Sequence, residues 1–137
     1  MNKKSQFFLL SLLITNVIIT IFHYTDNAIF IDRYPAPEWL SNSYTVYMAW
    51  FVLTLIGVVG YFLYRRGMLR IAYLFLAIYS ITGLFSPGHY FYGELSKFSL
   101  KMHTLILFDF IAGLSIIGFI VWSGLILKEW QKGYVSN

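Results

Sequence analysis

The sequence has no cysteine and few charged residues, and each shortage excludes a class of structure. Without cysteine the chain can form no disulfide, thiolate metal site, cysteine-ligated iron–sulfur cluster or cysteine nucleophile. Charged residues make up 12% of the 137 residues, whereas soluble domains average about 25%. Because 58% of the residues are hydrophobic, the composition argues against a soluble domain.

Long apolar runs take the place of the missing charge. Four of them cover residues 5–24, 44–64, 68–86 and 103–127, and a bilayer core is crossed by roughly 20 helical residues. A helix pairs all of its backbone donors and acceptors internally, as lipid requires, and the runs lack the alternation of a transmembrane β-strand. We therefore predict an all-α integral membrane protein, a single domain over residues 1–137 with four transmembrane helices in an up-down antiparallel bundle.

The first apolar run has a second interpretation, as a cleaved signal peptide. Lys3 and Lys4 precede it, which is the charge pattern of a signal sequence. However, residues 23–28 after the run lack the small-x-small pattern of a cleavage site. We therefore predict that the run is retained as the first span.

Basic residues fall mainly on one side of this four-span layout. That side carries Lys3, Lys4, Arg65, Arg66, Arg70, Lys128 and Lys132. The other side carries Arg33, Lys97 and Lys101 beside the acids Asp26, Asp32, Glu38 and Glu94. Short loops rich in lysine and arginine stay in the cytoplasm. We therefore predict a multi-pass protein of the cell membrane with both termini cytoplasmic. The net charge of +4 is explained by this topology, so we predict no nucleic-acid partner.

The segments between the runs differ in length and stiffness. Arg65-Arg66-Gly67 predicts a tight turn between the second and third spans. Residues 25–43 form a longer connection with two prolines, and residues 94–101 predict a short interfacial helix before the fourth span. In the longer connection, Trp39 has the amphipathic ring typical of the headgroup zone.

Polar and small residues recur at helical spacing inside the runs. Asn16, Thr20 and His23 share one face of the first span. A longer stripe follows the second span, with Tyr47, Trp50, Thr54, Gly57, Tyr61 and Tyr64. Such residues mark helix–helix contacts in lipid. We interpret both stripes as helix-packing surfaces, in preference to ligand-binding surfaces.

All three histidines are expected opposite the arginine-rich turn. His23 ends the first span, His89 follows the third, and His103 starts the fourth. Asp26 lies one helical turn after His23 and shares its face if the helix continues. Asp109 is an acid within an apolar run, so it should face the interior of the bundle, where its polar atoms can be paired.

These residues are the candidate functional site. His23, Asp26, His89 and His103 are the candidate ligands of a divalent or transition metal, since imidazole and carboxylate bind zinc, copper and iron. His23, His103 and Asp109 are the candidate catalytic residues, because a histidine and a desolvated acid can exchange a proton near neutral pH. The sequence has no H-x-x-H or H-E-x-x-H spacing, so hydrogen-bonded interfacial histidines are the simpler interpretation.

Three functions fit these observations. The first is a non-enzymatic subunit or small-ligand-binding membrane protein, with a membrane protein or a second copy of the chain as partner within the bilayer. The second is a metal-dependent membrane enzyme acting on a lipid-like or quinone-like substrate at the outer interface. The third, a transporter or channel, would require oligomers, because four spans form a thin pathway.

The layout also has a resemblance of form. Four short spans in 137 residues are similar to several families of small bacterial membrane proteins, including the DoxX-like group. The resemblance lies in size and hydropathy, and implies a four-span membrane protein. It transfers no residue roles to this chain.

Overall fold

Four long helices make up most of the protein. The computed structural model describes residues 3–40 and 42–132, without the side chain of Lys132, and this part of the chain is helical and contains no strand. The long helices are α1 (Lys3–Ile29), α2 (Ser43–Arg65), α3 (Leu69–Leu84) and α4 (Leu100–Val121). A π-helical turn at Trp122–Ile126 extends α4, and a short α5 follows at Glu129–Lys132. The prediction of an all-helical chain is confirmed.

The connections contain short 3₁₀ helices. Two of them, Ile31–Arg33 and Glu38–Leu40, lie in the segment between α1 and α2, and Ser86–Phe91 continues directly from α3. Where a helix was expected over 94–101, the chain forms only a 3₁₀ turn at Leu95–Lys97. Ser99 then caps α4, because its side-chain oxygen accepts a hydrogen bond from the Met102 amide.

The long helices pack in a ring. Each contacts its neighbours in the chain, and α4 returns to contact α1. The tight turn between α2 and α3 depends on Gly67, whose φ of +78° is readily adopted only by glycine. Its amide donates to the Tyr64 carbonyl and the Met68 amide donates to the Leu63 carbonyl, which together close α2.

The closest helix contact lies between α3 and α4. A Cβ atom on Gly83 would lie 2.1 Å from the Asp109 carbonyl oxygen, and one on Gly113 would lie 2.8 Å from the Ser80 carbonyl oxygen. The two backbones therefore touch at the glycines, as small residues allow at helix crossings. This contact holds Asp109 of α4 beside the end of α3.

The outside of the helices is apolar. In the described part of the chain, α1, α2 and α4 with its π-helical turn are long and apolar enough to cross a membrane, and α3 is apolar but shorter, at 16 residues. Large apolar side chains that are more than half exposed include Phe7, Ile14, Phe51, Leu74 and Phe108. These features are compatible with a membrane protein.

We refer to the two ends of the molecule by their residues. The histidine end carries His23, His89 and His103, and the arginine end carries the turn at Arg65–Arg66. Between them lies an apolar core that includes Leu9, Leu13, Leu76 and Ile116, all buried. Residues Asn16, Thr20 and His23 on α1 are buried too, which confirms their predicted inward face.

The predicted stripe on α2 is inward-facing only in part. Gly57 and Tyr64 are buried, and the Tyr79 ring packs over Gly57. Tyr47, in contrast, is exposed. The stripe therefore faces the packing surface at Gly57 and Tyr64 and is exposed at Tyr47.

Candidate functional site

The structure divides the predicted site residues into separate groups. His23 and His89 lie together, with their ring centroids 5.7 Å apart. His103 lies apart from this pair, where its Nδ1 hydrogen bonds with the Tyr90 hydroxyl at 2.8 Å. Asp26 and Asp109 each have partners of their own. Of the five predicted residues, only His23 and His89 pair directly.

Asp26 ties the loop after α1 to the start of α4. Its Oδ2 accepts a hydrogen bond of 2.7 Å from the Tyr34 hydroxyl, and its Oδ1 accepts one of 2.5 Å from the Lys101 ammonium. Burial, followed by the hydrogen bond to Asp26, raises the pKa of the Tyr34 phenol, so the phenol stays protonated and donates. Asp26 is therefore occupied as a structural acceptor.

The metal site remains a prediction, and the described residues contain no preformed set of metal ligands. Across residues 3–40 and 42–132, no three histidine and acid side chains form a group that could hold a metal ion. His23 and His89 would supply two imidazoles, while Asp26 is engaged by Tyr34 and Lys101. Within the described ranges the His23–His89 pair therefore lacks a third metal ligand.

The hydrogen bonds of His89 define its protonation. Its Nδ1 lies 2.8 Å from the Pro35 carbonyl oxygen, which can only accept, so Nδ1 carries the hydrogen. Burial lowers the pKa of His89, which favours the neutral ring. Nε2 of the neutral ring is then an acceptor, and it accepts a hydrogen bond of 3.2 Å from the Asn27 amide nitrogen.

A cavity of about 420 Å³ lies beside these residues at the histidine end. It is bounded by α1, α2, α3 and the loop after α1, and its volume falls within the range of small-molecule sites. Its walls are mainly apolar, with Val46, Leu53 and Ile81 among the lining residues. His23 and Asn27 provide polar groups on the α1 side.

Two residues that line this cavity each contain a buried polar atom without a hydrogen-bond partner. Nδ1 of His23 and Oδ1 of Asn27 are buried without a partner in the described part of the chain. The two residues are 2% and 7% exposed, respectively. A buried polar atom left unpaired costs about 1–3 kcal/mol. These two atoms lie beside the cavity and lack partners, so a side-chain adjustment would let a bound molecule pair with them.

Asn27 was missed in the sequence, although a signal for it existed. It lies one helical turn beyond His23, and so extends the face formed by Asn16, Thr20 and His23. The predicted span ended at residue 24, whereas α1 continues to Ile29. Extending the same periodicity by one turn would have placed Asn27 beside His23.

Asp109 lies behind the cavity, in the interior that its sequence position predicted. It is 0% exposed, and the Ser86 hydroxyl donates to its Oδ2. Ser86 also lines the cavity, so it connects the cavity to the acid. Asn16, which also faces the interior, donates to the Ser115 hydroxyl at 3.2 Å.

A second buried acid, Glu129, lies at the arginine end and was not expected from the sequence. Ser5 of α1 and Ser123 of the π-helical turn each donate a hydrogen bond of 2.8 Å to its carboxylate. The Tyr64 hydroxyl of α2 donates to it as well. These bonds link the two termini of the described chain to α2, which is a structural role.

Comparison with known proteins adds no homologue. No family model, curated protein or solved structure matches this chain. The likeness to small bacterial membrane proteins therefore remains one of size and hydropathy. The class supported by the fold is an all-helical protein with apolar helices, and its function has to be argued from the cavity.

Proposed function

We propose that this protein crosses the cell membrane four times and binds a small, largely apolar molecule in the cavity at the histidine end. Three of its helices have the length and hydropathy of membrane spans. The fourth, α3, is about 24 Å long at 1.5 Å per residue, and the 3₁₀ helix Ser86–Phe91 extends it. The exposed apolar side chains around the bundle then face lipid.

The charges support an orientation with both termini in the cytoplasm. Arg65 and Arg66 are exposed in the turn at the arginine end. At the histidine end, Lys101 is paired with Asp26 at 2.5 Å, which reduces the free positive charge there. Because the more basic side of a membrane protein stays inside, the cavity opens near the outer face.

The observation that carries the binding proposal is that two residues of a mainly apolar cavity wall, His23 and Asn27, each have a buried polar atom without a partner. A ligand with an apolar body and a hydrogen-bonding end matches both features, as is typical of small-molecule sites. Trp39 and Phe85 line the cavity and are 68% and 70% exposed, so they mark its mouth. An aromatic mouth at the proposed lipid interface suits entry from the membrane.

The other functions considered have less support. A channel would need a polar path between the two ends, and the core of Leu9, Leu13, Leu76 and Ile116 blocks that path with buried apolar side chains. A metal-dependent enzyme would need ligands beyond the His23–His89 pair. Binding is the function that the arrangement serves without further components.

A cavity-filling variant tests the binding proposal. Ala49 lines the cavity from α2, so Ala49→Phe should occupy the space that a ligand needs. Undecane and decanol are suitable probes, and a bound probe at a hundredfold excess over its Kd stabilises the folded state by about 2.7 kcal/mol. We expect either probe, or both, to raise the unfolding temperature of the purified wild-type protein and to have much less effect on Ala49→Phe.

The matched control is Gly118→Ala, on α4. A Cβ atom at this position meets no described residue within 4 Å, and Gly118 does not line the cavity. It should respond to the probes as the wild type does. Equal probe responses in wild type and Ala49→Phe, or no response in either, would rule out the cavity as the binding site.

A further inference from the structure

The cavity has a chemical preference, which rests on the proposed binding function. We infer that it selects molecules whose apolar body ends in a hydroxyl group, and that Asn27 and His23 read this group. The ligand class is therefore an apolar alcohol or phenol. The preference follows from the hydrogen bonds that link the Pro35 carbonyl, His89 and Asn27.

The orientation of the Asn27 side chain follows from His89. Nδ1 of His89 must donate to the Pro35 carbonyl, so Nε2 of the neutral ring can only accept. Asn27 must therefore turn its NH₂ group toward His89, at 3.2 Å. Its Oδ1 is thereby directed away from His89 and remains an acceptor without a donor in the described ranges.

The surroundings of His89 favour the neutral ring on which this orientation depends. The His23 ring lies 5.7 Å away and the Tyr34 ring 5.2 Å away, measured between centroids. Asp26, the acid on this face of α1, is already bonded by Tyr34 and Lys101. A protonated His89 would donate from both nitrogens and would turn the Asn27 oxygen toward itself.

The two atoms without partners determine which hydrogen-bonding group a ligand must have. Oδ1 of Asn27 needs a donor, whichever tautomer His23 adopts. If Nδ1 of His23 carries a hydrogen, a hydroxyl can accept from it while donating to Asn27. If Nδ1 is bare, the site contains two acceptors, and the single hydroxyl hydrogen of an alcohol donates to Asn27. An aldehyde, ketone or hydrocarbon has no donor to offer the Asn27 oxygen.

One ligand hydroxyl must also be able to reach both His23 and Asn27. His23 and Asn27 lie one turn apart on α1, where Cβ atoms are about 5–6 Å apart, so one hydroxyl can approach both. The two polar atoms are shielded in the cavity wall, and contact requires a side-chain adjustment of the kind common on binding. The volume of about 420 Å³ holds roughly fourteen groups of 30 Å³, the size of a water molecule. An alcohol with about eleven heavy atoms fits this space, whereas a whole phospholipid does not.

Three probes with the same number of heavy atoms test the preference. Decanol donates and accepts, decanal only accepts, and undecane does neither. Their apparent Kd values follow from the unfolding temperature of the full-length protein at rising probe concentration, with Ala49→Phe subtracted as the filled-cavity reference. We expect decanol to bind roughly tenfold more tightly than the other two, the effect of satisfying a buried acceptor.

Asn27→Leu should bring the three affinities together, because it removes the acceptor. If that variant does not fold, the wild-type ranking still decides, and nitrogen NMR of the imidazoles should show that decanol perturbs His23 Nδ1 and undecane does not.

The remaining outcomes contradict either the hydroxyl preference or the binding function. Equal affinities that Ala49→Phe abolishes would refute the hydroxyl preference and leave the binding function intact. Tightest binding of decanal would mean that the cavity offers a donor, and would also refute the preference. Failure of all three probes to stabilise the wild type would leave water as the occupant and would refute the binding function itself.

Discussion

His89 is the residue on which the polarity of the cavity depends. Its two ring nitrogens are both used, one toward the Pro35 carbonyl and one toward Asn27. Each hydrogen bond determines whether the next group donates or accepts. The position of the proton on His89 therefore determines which atom of the Asn27 amide remains without a partner. A change at His89, which itself lines the cavity, should therefore also change which atom of Asn27 lacks a partner.

The stability of the protein should decrease as the pH falls below the usual range of histidine. Burial lowers the pKa of His89 from 6.5 in the folded state, so below about pH 6.5 the unfolded chain binds this proton more readily than the folded one. The contribution is fully present above that pH and is lost as the pH falls toward the folded pKa. Unfolding temperatures measured between roughly pH 8 and pH 5 would show this slope.

The matched variant for this prediction is His89→Gln. A glutamine amide can donate to the Pro35 carbonyl and accept from Asn27, but it does not titrate. The share of the slope that belongs to His89 should disappear in the variant. An identical pH dependence in both proteins would contradict the prediction.

At the scale of the helices, the crossing of α3 and α4 is the most restrictive contact. The two backbones meet at Gly83 and Gly113, and the crossing places Ser86 against Asp109. The sequence shows glycines in both runs, but their facing positions depend on the rotation of each helix and on the turn lengths. This part of the site could not be predicted from helical periodicity.

Gly83→Ala and Gly118→Ala should have opposite effects on stability. The added methyl group at Gly83 would meet the Asp109 carbonyl at 2.1 Å, and overpacking of this kind costs about 1–3 kcal/mol. At Gly118 the methyl group meets no described atom within 4 Å, and alanine favours the helix by up to about 1 kcal/mol. The free energy of unfolding in detergent measures both changes. Equal effects of the two variants would mean that the close crossing is absent.

At the scale of the whole molecule, the proposed topology separates the histidine and arginine ends across the membrane. The chain has no cysteine, so a single introduced cysteine reports its own position. Arg66 and Lys97 are exposed residues at opposite ends. We expect Lys97→Cys to react with a membrane-impermeant maleimide on intact cells, and Arg66→Cys to react only after lysis.

Each labelling variant serves as the control for the other, because the same reagent must react with one cysteine and not with the other on intact cells. Reaction of both residues, or of neither, on intact cells would contradict the four-span arrangement. Reversed reactivity would retain the spans and invert the orientation.

Much of the architecture was predictable from the sequence, because its signals are local. Continuous apolar runs require helices, and the spacing of Asn16, Thr20 and His23 selects an inward face through the helical repeat alone. The same reasoning placed Asp109 inside, where it is fully buried. None of these inferences depends on how distant segments meet.

The cavity and its pattern of hydrogen bonds were decided only by the tertiary structure. His103 lies close to the other histidines along the predicted axis, yet it bonds to Tyr90, while His89 joins His23 because the loop after α1 brings the Pro35 carbonyl to its ring. The path of that loop depends on contacts between residues far apart in the chain, such as Asp26 and Lys101. Helical periodicity carries no information about such contacts, so the sequence predicted histidines at one end without showing which of them share a site.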